Sequence, residues 1–229
     1  MNIPILAAIA ALLAAPAYAA DSSSNSGEVQ IEFVTHVQMD MSEQDVFVER
    51  APGDALVFRA TKADADMSQP LFATAQPVKH NPADPSTDGP HRKGAELGVT
   101  LGEWLNATGK ATYVADEGAG LLKAEFEGLV PNGVYTMWHF FMASAPTDPF
   151  IGTFDLPVGA PDGSQSVFVA DAQGNAVFER TLTPGLQMTA EQLAAGLAIA
   201  WHSDGKTYGV LPGDFAYNSH IQLFAVLPQ

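Results

Sequence analysis

Short apolar runs separated by turn-forming residues fill the second half of the chain, and this punctuation constrains the fold more than any other feature. Gly, Pro, Asn and Asp recur between the runs, as at Pro131-Asn132-Gly133 and at Asp171 to Asn175. Many short strands with turn signals between them are typical of antiparallel sandwiches and barrels. The pattern predicts an all-β fold, a Greek-key-like antiparallel β-sandwich. Its strand-like runs are residues 111–115, 121–129, 134–142, 167–170, 176–182, 197–202 and 220–227.

One short helix is expected among these strands, at residues 189–195. Thr189 and Gln192 have the spacing of a capping box, in which each side chain bonds to the other residue's backbone N–H. Gly196 follows in the position where helices commonly stop.

The first half of the chain contains fewer strand signals. Residues 29–37, 46–50 and 55–61 have strand-like composition, and Gly53-Asp54 supplies a turn between the last two. Residues 62–97 hold five prolines and few paired apolar positions. This segment is expected to be a long Pro-rich loop, either a cover over one face or end of the sandwich or a disordered excursion.

The first twenty residues have the composition of a secretory signal peptide. An apolar run at residues 5–15 is followed by Pro16 and by small residues at 17–20, which suit signal peptidase. The run is too short for a membrane anchor, since crossing the hydrocarbon layer takes about 20 apolar residues. We therefore expect a periplasmic or secreted bacterial protein with a polar linker at residues 21–27 and one domain at residues 28–229.

Composition excludes several classes of function. The chain has no cysteine, so disulfides, thiol catalysis and zinc–thiolate sites are excluded. Its 26 acidic and 10 basic residues argue against nucleic acid as a partner. No later segment is apolar enough to predict a transmembrane helix in the mature chain.

Three histidines lie in apolar strand-like runs and are the candidate metal ligands. His139 is flanked by Trp138 and Phe140, His202 ends an apolar run, and His220 begins the last one. A buried imidazole needs a partner for each ring nitrogen, which is either a hydrogen-bonding group or a metal. If these strands are neighbours, the three side chains would suit one copper or zinc ion; each histidine alone is also explained as a hydrogen-bonded structural residue.

Several short motifs resemble the copper–zinc superoxide dismutase family. Residues 128–140 are similar to its Gly-Leu…Pro-Gly turn and His-x-His strand, and residues 169–176 to its Ala-Asp-x-x-Gly hairpin. Residues 196–202 resemble the strand with a late copper ligand, and residues 218–220 fall where the family has Gly-Ser-Arg. The resemblance implies the same sandwich and assigns His139 and His202 to ligand positions.

Most of the residues that form the family's active site are missing from this chain. Met137 stands at the first position of the His-x-His pair, residues 143–160 contain no histidine, and His220 stands in place of the arginine. The family's bimetallic dismutation is therefore not expected. What remains is a mononuclear copper or zinc site or a degenerate site on a binding scaffold.

Three functions follow as hypotheses. The first is a non-catalytic binding or structural protein outside the cytoplasm. The second is a mononuclear copper or zinc protein using His139, His202 and His220. The third is a carbohydrate- or surface-binding module, which requires a row of exposed aromatic side chains.

Overall fold

The computed structural model describes residues 27–39, 45–79, 88–143, 154–190 and 193–228. The predicted signal peptide, and the linker apart from Gly27, lie outside this part of the chain. Within it, fourteen strands, one short 3-10 helix at Val37–Met39 and one α-helix, α1 at Leu101–Leu105, follow one another. The strands are β1 (Glu28–Phe33), β2 (Phe47–Val48), β3 (Leu56–Arg59), β4 (Pro70–Thr74), β5 (His91–Thr100), β6 (Thr108–Asp116), β7 (Ala119–Glu127), β8 (Val134–Ala143), β9 (Phe154–Pro157), β10 (Val167–Val169), β11 (Ala176–Leu182), β12 (Thr189–Ala190), β13 (Leu193–His202) and β14 (Ser219–Val226).

Two antiparallel sheets form the larger part of the fold. The first has the strand order β1-β6-β7-β11. In the second, β10 and β9 pair with one edge of β8, β13 pairs with its other edge, and β12 and β14 pair with β13. The consecutive strands β7 and β8 lie in different sheets, and so do β10 and β11, so the chain crosses repeatedly between the layers. The predicted all-β class is confirmed.

A single hydrophobic core lies between the two sheets. Alternate residues of β7, such as Leu122 and Phe126, and of β8, such as Tyr135 and Met137, belong to one buried cluster. The Phe168 ring stacks on Phe126 of the first sheet at 5.5 Å and on Tyr135 of the second at 5.4 Å. Period-2 alternation on both sheets therefore buries one face of each against the other.

Strands β2, β3, β4 and β5, which lie between β1 and α1 in the sequence, form a small closed barrel. Its own core consists of Phe47, Val57, Phe72 and Ala216, with Val78 packed against it. Ala216 belongs to the loop between β13 and β14, and its carbonyl accepts a hydrogen bond from the Thr74 backbone N–H at 2.8 Å. The barrel is thus attached to the end of the second sheet.

The helix forms at a different place from the one expected. Thr100 caps α1, because its hydroxyl accepts from the Glu103 backbone N–H and the Glu103 carboxylate accepts from the Thr100 backbone N–H. The prediction of a helix at residues 189–195 is wrong: Thr189–Ala190 and Leu193–His202 are paired strands, and residues 191–192 lie outside the described residues. From Ala195 onward every second residue of β13 enters the core, so burial of a strand face outweighs the local capping signal.

The expectation of a long loop at residues 62–97 is also corrected. This segment contains all of β4 and most of β5, which pair with each other along the barrel. The sequence does not predict β5 as a strand because apolar and polar residues do not alternate along it. Its ten residues are all half-buried or exposed. Prolines 82 and 85 lie outside the described residues.

Candidate functional site

His139 lies in the middle of β8, between β13 and β9. Its Nε2 is 3.0 Å from the Gln187 carbonyl oxygen, so Nε2 carries the proton and donates. Its ring also contacts Phe141 at 4.5 Å between centroids. Burial lowers the pKa of His139 below its usual value, and the hydrogen bond to Gln187 opposes this effect. The His139 ring is therefore neutral and largely buried.

His202 ends β13 on the face that carries Thr136 and Trp138. The Trp138 indole donates to the Thr136 hydroxyl oxygen at 2.7 Å, and that oxygen lies 2.8 Å from His202 Nε2. The indole can only donate, so it occupies one of the two acceptor sites of the Thr136 oxygen, and the second contact of that oxygen is the hydrogen bond it shares with His202 Nε2. Burial lowers the pKa of His202 to about 4, so the ring is neutral at pH 7.

His220 begins β14 in a group that we call the Asp45 cluster: Asp45, Arg59, Ser203 and His220. Its Nδ1 donates to the Asp45 carbonyl oxygen at 2.7 Å, and its Nε2 lies 3.1 Å from the Ser203 hydroxyl. A carbonyl oxygen only accepts, so the proton is on Nδ1 and the Nε2 lone pair accepts from Ser203. Both ring nitrogens of His220 are occupied, and no lone pair remains for a metal.

The Asp45 cluster is organised around an ion pair that solvent does not reach. Arg59 Nη1 lies 2.9 Å from Asp45 Oδ1, and neither side chain has exposed surface. The other Asp45 carboxylate oxygen accepts from the Ile221 backbone N–H at 3.2 Å, and Arg59 Nη2 donates to the Lys79 carbonyl at 3.0 Å. The pair therefore bonds the barrel, through Arg59 of β3, to β14 of the second sheet.

Strand register keeps the three candidate ligands apart. His139 pairs with Leu197 of β13, five residues before His202, which is roughly 17 Å along a strand. His220 pairs with Trp201 and not with His202, so His202 and His220 project from opposite faces of the sheet. Among the residues that the structure describes, no group of three or more His, Asp or Glu side chains is placed to hold a metal ion.

His202 also lies beside a serine, Ser219. Ser219 lies directly opposite His202 on β14, and Ser219 Oγ and His202 Nδ1 are both buried with no hydrogen-bond partner among the described residues. A serine beside a histidine is the elementary pair of nucleophilic catalysis. Here the two residues are 0% and 1% exposed, which leaves no approach for a substrate carbonyl. The geometry therefore does not support acyl transfer.

Reasoning from sequence missed the Asp45 cluster. The signal that could have revealed it is Arg59 at the end of the apolar run Leu56-Val57-Phe58. An arginine on the inward side of a strand is almost never fully buried unless it is paired. Its partner, 14 residues earlier in the chain, had no distinguishing context.

The barrel also carries an open cleft, which we call the barrel cleft. Its lining consists of Thr74, Gln76, Pro77, Val78, His91 and Arg92, and its volume is about 330 Å³ including the part open to solvent. The Ala75 backbone N–H donates to the Arg92 carbonyl at 2.9 Å, and the Val78 N–H donates to the Phe215 carbonyl at 3.1 Å. Backbone hydrogen bonds thus hold both walls of the cleft.

Comparison of the chain with protein-family models, with curated proteins and with solved structures finds no match. No helix in the described ranges is long and apolar enough to cross a membrane.

Proposed function

We propose that this chain is a non-catalytic binding protein of the extracytoplasmic space and that it holds its ligand in the barrel cleft. The observation that carries the proposal is the cleft itself: Gln76 and Arg92 offer polar groups at its walls, and Pro77 and Val78 offer apolar surface. A concave site with a few convergent polar groups is the usual form of a small-molecule site. Export rests on the composition of residues 1–20.

The arrangement of the buried polar groups supports binding over turnover. His220, Asp45 and Arg59 are bonded to one another or to backbone groups, and all three are fully buried. A general acid or base must come within hydrogen-bond reach of a substrate. These side chains hold the barrel against the sheet, and they supply a rigid frame for the cleft.

The two alternative functions draw less support from the geometry. For the metal hypothesis, His139, His202 and His220 have different partners and no shared centre. For a carbohydrate-binding module, Tyr217, at 46%, is the only largely exposed aromatic side chain among those the structure describes. One such ring does not make the aromatic row that this hypothesis requires.

The test is a binding screen by two-dimensional NMR of ¹⁵N-labelled protein. Solutes of different chemistry are added one at a time: a neutral oligosaccharide, a zwitterionic amino acid, a carboxylate, sulfate and phosphate. We expect at least one to shift the backbone amide signals of Gln76, Val78 and His91 in a saturable way.

A matched pair of variants locates the binding. Gln76→Trp places a bulky ring at the cleft wall and should abolish the shifts, whereas Gln173→Trp, an exposed position in the turn between β10 and β11, should leave them unchanged. If no class of solute perturbs the cleft amides of the folded protein, or if Gln76→Trp has no effect, the proposal is overturned.

A further inference from the structure

Basic residues are concentrated in the barrel. Residues 45–100 contain six of the ten basic residues of the chain but only eight of its 26 acidic ones. The formal net charge of the whole chain is −16, so the barrel is a nearly neutral region on a strongly acidic protein. An anionic ligand approaching the barrel therefore meets less net negative charge than the average over the chain.

Among the described residues, two cations near the barrel cleft are neutralised by ion pairs and two, Arg92 and Lys79, are not. Arg59 pairs with Asp45, and Lys93 pairs with Glu49. Within the described residues, neither Arg92 nor Lys79 lies within 4 Å of a carboxylate oxygen. Both are exposed. Arg92 lines the cleft, and Lys79 directly follows the cleft-lining Val78.

The cleft lining is suited to a negative charge. None of its six residues is acidic, and Asp88, three residues before His91, is not among them. Arg92 presents a planar guanidinium, whose parallel N–H groups match the two oxygens of a carboxylate, sulfate or phosphate. His91 is held edge-on to the buried Phe47 ring at 5.5 Å, so the wall beside Arg92 is anchored to the barrel core.

The distant acidic surface does not cancel this local attraction. At physiological ionic strength the Debye length is about 8 Å, so exposed charges farther away than this are largely screened. An oxyanion in contact with Arg92 lies well within that distance of the guanidinium. The local charge therefore decides the sign of the interaction.

From these observations we infer that the barrel cleft binds a small oxyanion or the oxyanion group of a compact solute, with Arg92 as the principal contact and Lys79 as a second cation. This inference rests on the proposed function, because it names the ligand class of the same cleft. The shared chemistry is a delocalised negative charge on two or more oxygens.

The experiment is a titration of the wild-type protein followed by NMR in 150 mM sodium chloride. Acetate, sulfate and inorganic phosphate are the anionic probes, and glycerol and glucose are the neutral ones. We expect saturable shifts at His91 and Gln76 with at least one anion and none with the neutral solutes. The relative affinities separate a carboxylate site from a sulfate or phosphate site.

Matched charge variants test the role of Arg92. Arg92→Gln should raise the dissociation constant at least tenfold, and Lys79→Gln should raise it less. Lys110→Gln removes the same unit of charge from an exposed position on β6 and should leave the constant within about twofold, since screening confines charge effects to short range. Arg92→Lys keeps the charge but not the fork, and it should recover part of the affinity.

Three outcomes overturn the inference. If a neutral solute binds in the cleft and no anion does, the ligand class is wrong while the proposed function stands. Equal weakening by Arg92→Gln and Lys110→Gln would show that the anions respond only to net charge. If no probe of either kind perturbs the cleft, the inference and the proposed function fail together.

Discussion

Asp45 and Arg59 form an ion pair with no solvent-exposed surface, in which Arg59 Nη1 lies 2.9 Å from Asp45 Oδ1. The carboxylate also accepts a backbone N–H from β14, and the guanidinium also donates to a backbone carbonyl. Two charges removed from water require such additional hydrogen bonds, because their mutual attraction alone does not offset the loss of hydration.

Removing one partner of this pair should strongly destabilise the protein. Arg59→Met leaves the Asp45 carboxylate buried without its counter-charge, and the expected loss in the free energy of unfolding is about 3–5 kcal/mol. The measurement is urea denaturation followed by circular dichroism. The matched control is Arg50→Met, whose side chain is 46% exposed in its pair with Asp64, and it should cost no more than about 1 kcal/mol. If the two variants lost equal amounts of unfolding free energy, the buried pair would matter no more to stability than the exposed one.

His202 should make stability depend on pH. Its pKa is lowered by burial to about 4 in the folded protein, against roughly 6.5 in an unfolded chain. Between these values the unfolded state binds the proton and the folded state does not, so stability falls as the pH decreases from about 6.5 to about 4. The unfolding free energy measured by urea denaturation across this range should fall less steeply with decreasing pH in His202→Gln than in the wild type, by up to about 1.4 kcal/mol for each pH unit. Parallel curves for variant and wild type would show that His202 does not titrate in this window.

Gly118 and Gly128 provide a matched test of steric contact at positive φ. Both have similar left-handed backbone angles, 71° and 68°, but a Cβ on Gly118 would meet open space, whereas one on Gly128 would lie 2.7 Å from the Asn106 carbonyl oxygen. Gly118→Ala should cost about 1–2 kcal/mol, the price of the left-handed conformation alone. Gly128→Ala should cost more, and the difference between the two unfolding free energies measures the added clash. A smaller loss for Gly128→Ala would contradict the close approach of residues 106 and 128.

Metal retention distinguishes the histidine hypothesis from the structural roles described above. After exposure to micromolar copper or zinc and desalting, a shared site would retain about one ion per chain. Because strand register separates His139 from His202, we expect that His139→Gln leaves any retained metal unchanged. The measurement is elemental analysis of the wild type and the variant. A loss of one equivalent of metal in the variant, with its fold intact, would restore the three-histidine site.

The turns of the second half of the chain made the sandwich predictable. Asp171 accepts backbone N–H groups from residues 173 and 175, so the hairpin there is determined by local chemistry. The barrel was not predictable in the same way. Among the described residues its own core cluster has four buried side chains, and one of them, Ala216, comes from a distant loop. A strand that packs on so small a core leaves little apolar alternation in the sequence.

The candidate site shows the same limit. Sequence identified His139, His202 and His220 as unusual, and the structure confirms that all three are buried. Whether they meet depends on which residues pair across β8, β13 and β14, and a shift of one residue moves a side chain to the other face. Register of this kind is decided by the whole sheet and is not encoded near any one histidine.

The bond between His220 and the Asp45 carbonyl has a consequence for how the chain acquires its structure. It joins positions 175 residues apart, so Asp45 leaves the ribosome long before its partner does. Contacts this distant in sequence form slowly, because a long loop must close before they are made. The barrel segment therefore cannot form its hydrogen bond to β14 until this last strand has been synthesised. In a chain truncated before β14, the barrel segment would remain accessible to chaperones and proteases.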